Sequence, residues 1–204
     1  MNKQTKKLLF IIVLLSTNLF SHPVIFKGGK VFWVTQQPNY NDIRFGISKT
    51  NTWLIGGRIL EDRNSNESFV LMNNNYLLKR WNNRNSQANI YLLSSVGINT
   101  ENNKEMGSFG MHTDWEDRRY MVMQMVEYFS HNESWVSDTR LSISPYTVDY
   151  TKMSVWLIGN YKVTYQDGES SSALMPVIRL FKANYLLEFG KNKDNTFLSF
   201  MIHF

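Results

Sequence analysis

The sequence predicts an all-β chain: a single antiparallel barrel of about twelve strands, within a range of eight to twelve, that crosses a membrane. Three observations predict it. The 204-residue chain opens on a short basic and then apolar leader. No later stretch approaches the roughly 18 consecutive apolar residues that a spanning helix needs. What remains alternates apolar and polar residues in runs bounded by clusters of Asn, Asp, Ser and Gly.

Composition narrows the field. There is no cysteine, which excludes a disulfide scaffold, a thiolate metal site, a cysteine nucleophile and a lipidated N-terminal Cys. The 22 basic and 17 acidic side chains give +5. Lys3, Lys6 and Lys7 supply three of those charges, so the pI of 9.3 is partly a leader effect and makes no case for nucleic acid. A mean hydropathy of −0.33 excludes a bundle of apolar membrane helices.

Residues 1–21 have the form of a secretory signal peptide: three lysines, the unbroken apolar run Leu8 to Leu15, then STNLFS, with Leu19 and Ser21 at −3 and −1 for cleavage after Ser21. Eight apolar residues are too few to span a hydrocarbon core about 30 Å thick. The barrel would then occupy 22–204.

The remaining runs read as strands in order. They are 31–36, 42–48, 52–61, 68–80, 87–98, 107–113, 117–129, 135–146, 153–165, 173–181, 184–190 and 196–204. Twelve requires GSFGMHT (107–113) to be a strand of its own ahead of a DWED turn (114–117); merging it with 117–129 and dropping the first run gives ten. Twelve sorts KTN (49–51), DWED and Lys182–Ala183 to one side as short turns. It places EDRNSNE (61–67), NTENNKE (99–105) and QDGESSS (166–172) on the other as longer loops, the asymmetry of single-chain barrels. Asn and Asp suit these turns because they tolerate left-handed backbone. Pro176 falls inside a run and marks a bulge or a weakened strand.

Two runs distinguish a barrel from a soluble sandwich. In Arg119–Phe129, Tyr120, Val122, Gln124, Val126 and Tyr128 share one face, and Arg119, Met121, Met123, Met125 and Glu127 the other. The two tyrosines stand about 26 Å apart along the strand, or roughly 20 Å of membrane once tilted. In the last run Leu198, Phe200, Ile202 and Phe204 alternate with Phe197, Ser199, Met201 and His203, and the sequence stops on the aromatic residue.

That last run resembles the closing strand of bacterial outer-membrane β-barrel proteins, which ends in Phe or Trp preceded by apolar residues at alternate positions. The match at Leu198, Phe200, Ile202 and Phe204 implies an assembly signal. The resemblance implies outer-membrane lipid and the barrel-assembly machinery as partners and a Gram-negative outer membrane as the location. It is to the class, and implies no particular solute.

The faces set opposite the apolar ones carry Arg44, Arg58, Arg119, Arg140, Lys162 and Arg179 against Glu127 and Glu188. Lining a lumen, this basic excess would favour small anionic solutes. The expected function is therefore a narrow, weakly anion-selective channel or a structural envelope protein. Two alternatives stay open: an enzymatic rim site hydrolysing lipid or peptide, and a soluble periplasmic β-sandwich that binds a ligand. His131-Asn132-Glu133-Ser134 offers nucleophile and base types, but neighbours on a strand point to opposite faces, so a solvated loop is expected. Met121, Met123 and Met125, like Met201 and His203, align as soft donors would, although Met more often fills irregular space. There is no HExxH, P-loop or GxSxG, and Gly28-Gly29 lacks a nucleotide-binding context. No cofactor, metal or catalytic residue is expected.

Overall fold

The computed structural model describes residues 23–149 and 151–204; the leader, 1–21, lies outside the described residues. Twelve strands follow in order: β1 (Lys30–Gln36), β2 (Tyr40–Ser48), β3 (Trp53–Asp62), β4 (Glu67–Asn82), β5 (Ser86–Asn99), β6 (Glu105–Asp117), β7 (Tyr120–Phe129), β8 (Ser134–Ile143), β9 (Ser154–Gln166), β10 (Glu169–Lys182), β11 (Tyr185–Lys191) and β12 (Thr196–His203). Each pairs antiparallel with its neighbours in sequence, and β1 closes on β12 from Val31↔His203 to Gln36↔Leu198. A closed ladder leaves no free edge. The soluble-sandwich alternative is thereby set aside.

Alternation dictates the wall. Large apolar side chains stand exposed on the outside of every strand, among them Phe45, Ile59, Val96, Leu141, Leu174 and Phe189. Polar and charged side chains such as Asp42, Asn73, Asn89, Asp138 and Glu188 are buried inside. This inverts a water-soluble sheet. On β7, Tyr120 and Val122 are exposed while Met121, Met123 and Glu127 are buried. On β12, Leu198 and Phe200 are exposed, as is Phe204 just after it, and Phe197, Ser199, Met201 and His203 are buried. Gly46 and Gly56 face each other across β2–β3, and a Cβ on Gly56 would lie 1.8 Å from the Phe45 carbonyl oxygen, so the two strands approach more closely than side chains allow.

Several boundaries differ from the sequence reading. DWED is not a turn: β6 runs through it to Asp117, and the reversal is Arg118–Arg119. The alternation continues because Asp114 points inward and finds partners, Asn89 Nδ2 at 2.6 Å and His112 Nε2 at 3.2 Å. β8 stops at Ile143, short of Pro145, with Ser144 Oγ bridging the carbonyls of Tyr146 and Val155 at 2.7 and 2.9 Å. The expected inequality of turns and loops is absent. QDGESSS is mostly strand around the two-residue turn Asp167–Gly168, with φ of 55° and 81°, as a tight hairpin requires. The longest connection, 144–153, lies on the side of the chain ends. Pro176 sits opposite Gly159 with the β9–β10 register unbroken; the register shift is at Leu77/Lys79.

Candidate functional site

The lumen is the concave feature built by these strands. Its contents change with height. Near the mouth opposite the chain ends, Leu60, Phe69, Leu71, Met106, Phe129 and Val136 form an apolar cluster, with Tyr40 packed on it. These residues lie at the ends of β3, β4, β6, β7 and β8 that border that mouth.

Two charged clusters lie below, each bridging strands that are not neighbours. In the first, Arg58 of β3 donates from Nη2 to Asp42 Oδ2 at 2.8 Å and from Nη1 to Glu127 Oε1 of β7 at 2.5 Å. Arg44 donates to Asp42 at 2.6 Å, and Ser108 Oγ to Glu127 at 2.8 Å. In the second, Arg140 of β8 meets Glu188 of β11 at 3.0 Å and Asp138 at 3.2 Å, Arg179 donates to Glu188 at 2.7 Å, and Asn160 to Asp138 at 2.8 Å. Arg58 and Glu127 are 1 % and 2 % exposed. Charges so far from water persist only when paired and hydrogen-bonded.

Arg44, Arg58, Glu127, Arg140, Arg179 and Glu188 thus lie inside the barrel, grouped into those two clusters. Arg119 does not join them. It is exposed in the β6–β7 turn, and its Nη2 donates to Pro145 O at 3.4 Å. Lys162 of β9 is also separate: Nζ donates to Gln37 Oε1 across the lumen and stands 4.3 Å from the Tyr40 ring centroid. Among the described residues it meets no carboxylate.

The sequence reading missed the interior carboxylates Asp42, Asp114 and Asp138. With Arg119 removed and these added, the basic excess it expected along the wall disappears. A signal for two of them was present. Asp42-Ile43-Arg44 and Asp138-Thr139-Arg140 repeat Asp-x-Arg, and residues two apart on a strand share a face.

A cavity of about 670 Å³ occupies the lumen toward the chain-end mouth. It runs from Asn83, Arg84 and Asp149 past Met121, Met123 and Met125, Trp33 and Trp156 to Thr35, Gln37 and Tyr40. Arg179 Nη1 donates to Met121 Sδ at 3.3 Å, so that thioether serves as an acceptor as well as packing. Among the described residues no three His, Asp or Glu side chains are placed to hold a metal. At the far rim His131 Nε2 and Asp62 Oδ2 are 3.0 Å apart, and Ser134 Oγ donates to Asn132 Oδ1 at 2.7 Å. The histidine and the serine are therefore turned to different partners.

Outside, aromatic residues form rows at two levels. Tyr128, Trp135 and Tyr165 are directly cross-paired toward the far mouth. Trp115, Tyr120 and Tyr185 are exposed on the outside near the chain-end mouth.

Fold and lumen together define a class: closed, antiparallel, twelve-stranded barrels with apolar exteriors and charged, hydrogen-bonded interiors. Within it, the chain is similar to a solved structure described as "KdgM porin", at 10% identity and a TM-score of 0.50 over 86% of this chain and 98% of that one. No protein-family model matches the sequence, and no curated protein does.

Proposed function

We propose that the chain is an integral outer-membrane β-barrel forming a narrow, weakly anion-selective channel for small solutes. Residues 1–21 would be removed on export and 22–204 inserted by the barrel-assembly machinery through the strand ending at Phe204. The observation that carries the membrane reading is the exterior: a belt of exposed apolar side chains on every strand, bordered by Tyr128–Trp135–Tyr165 above and Trp115, Tyr120 and Tyr185 below. Water would leave this surface unsatisfied, whereas a bilayer with aromatic interfaces matches it.

The channel reading rests on the cavity and on Lys162. The cavity reaches Gln37 and Tyr40, and Lys162 lies on those two residues. The arginines of the two clusters are neutralised by neighbouring carboxylates, so this reading assigns anion preference to the ammonium of Lys162, beside the Gln37–Tyr40 end of the cavity. Selectivity is thereby assigned to one residue and not to a basic wall. Purified protein in a planar bilayer should give a small conductance with anion preference, and Lys162→Gln should remove that preference while the barrel stays folded. Cation preference in the parent protein would overturn the anion-channel reading. A complete lack of channel events would favour the second reading, a structural envelope barrel, which the two ion-pair bridges across the lumen support.

A further inference from the structure

Gly28-Gly29 precedes β1 and has no part in the features above. Gly28 holds φ +83°, and nothing lies within 4 Å of where its Cβ would be. Glycine takes this conformation without steric cost. The turn is fixed by Gly28 N donating to Ser48 O at 2.7 Å and Gly29 N to Phe26 O at 3.0 Å. It directs the preceding residues back into the barrel mouth.

There Val24 is 0% exposed, packed among Leu54, Leu77, Tyr91 and Leu93 of β3, β4 and β5. Its neighbours are held through their backbone. Asn75 Nδ2 donates to Pro23 O at 3.3 Å, Ile25 N donates to Ser48 Oγ at 3.2 Å, and Lys27 N donates to Asn51 Oδ1 at 2.9 Å. The seat is out of character with the charged lumen around it. Left empty, its leucines would face water.

We propose that this seat is a binding site for a short apolar peptide, filled in cis by residues 23–26 with Val24 as the anchor, which form a plug hinged at Gly28. Recognition combines an aliphatic side chain in the leucine-lined pocket with backbone hydrogen bonds to Asn75 and Ser48. The plug fills the β3–β5 side of the lumen near the chain-end mouth and leaves the 670 Å³ cavity beside it. This goes beyond the channel reading and stands whether or not the barrel conducts.

The absence of native cysteine allows a direct test. In the folded, detergent-solubilised full chain, Val24→Cys should react with a water-soluble maleimide at least about tenfold more slowly than Lys49→Cys, an exposed control, because reaction at a seated residue requires local opening. Adding Gly28→Val to Val24→Cys should bring its rate toward the control, with unboiled gel migration reporting that the barrel remains folded. In a variant lacking residues 23–26, Leu93→Cys should label fast. A synthetic peptide of residues 23–29 should slow that labelling saturably, and the same peptide carrying V24D should not. Equal rates at positions 24 and 49, or a peptide without effect on Leu93→Cys, would overturn the proposal.

Discussion

Arg58 of β3 and Glu127 of β7 meet at 2.5 Å across the lumen, although 69 residues and three strands of the wall separate them. The contact exists because the sheet closes. It brings two strands face to face, and each guanidinium–carboxylate pair replaces the water that closure removed. Arg140 and Glu188 repeat the arrangement between β8 and β11.

Breaking the first bridge on one side should be costly. Glu127→Ala leaves Arg58 buried with only Asp42 to balance it, and the expected loss is about 3–5 kcal/mol. Replacing both partners by apolar residues, Arg58→Met with Glu127→Leu, should recover most of that loss, since Asp42 and Arg44 remain paired. Urea midpoints of the refolded barrel in detergent measure both. Neutralising Arg58 and Arg140 together should for the same reason destabilise the barrel.

The wall predicts opposite responses at adjacent positions of β7. Val122 is exposed on the outer belt and Met123 is buried against the cavity. Val122→Arg should cost up to about 2–4 kcal/mol in a bilayer, by the depth-dependent penalty of lipid-facing charge. Met123→Arg, which reaches lumen water, should cost less. Folding titrations into liposomes would rank them, and a reversed order would contradict the lipid assignment.

Gly56 and Gly159 should differ as sharply. A Cβ on Gly56 would lie 1.8 Å from Phe45 O and 2.6 Å from the Gly46 Cα, both backbone atoms. Gly56→Val should therefore force the strands apart, at about 1–3 kcal/mol or more. At Gly159 the nearest atom is Leu141 O at 4.0 Å, so Gly159→Ala should be nearly neutral. Thermal unfolding followed by loss of the fast-migrating gel band would measure both.

Phe204 closes the seam with Lys30: its carbonyl accepts from Lys30 N at 3.0 Å and its amide donates to Lys30 O at 2.9 Å. Deleting it removes that backbone pair together with an exposed terminal ring. The expected result is normal export followed by periplasmic aggregation and degradation, read by fractionation and unboiled gels. Parent-like levels of folded protein in the outer membrane would show that the terminal residue is dispensable.

By itself the sequence indicated the all-β class, about twelve strands and the alternation of their two faces. A period of two is local, and once Tyr120 and Val122 are on one face, Met121 and Met123 must be on the other. It also determined the turn chemistry: Asn66, Asn103 and Asp167 take positive φ where Asn and Asp were expected to reverse the chain. Local reading failed where composition resembled a turn but the residues had distant partners. Asp114 stays in β6 because Asn89, 25 residues away, donates to its carboxylate.

Only the tertiary structure decided what the lumen contains. Arg58 finding Glu127, Lys162 reaching Gln37, and Val24 returning over Gly28 to lie among Leu54, Tyr91 and Leu93 are contacts across the barrel. No spacing along the chain encodes them. They depend on the stagger at which twelve strands close, which sets the side chains that share a height, and that stagger is a property of the whole ring.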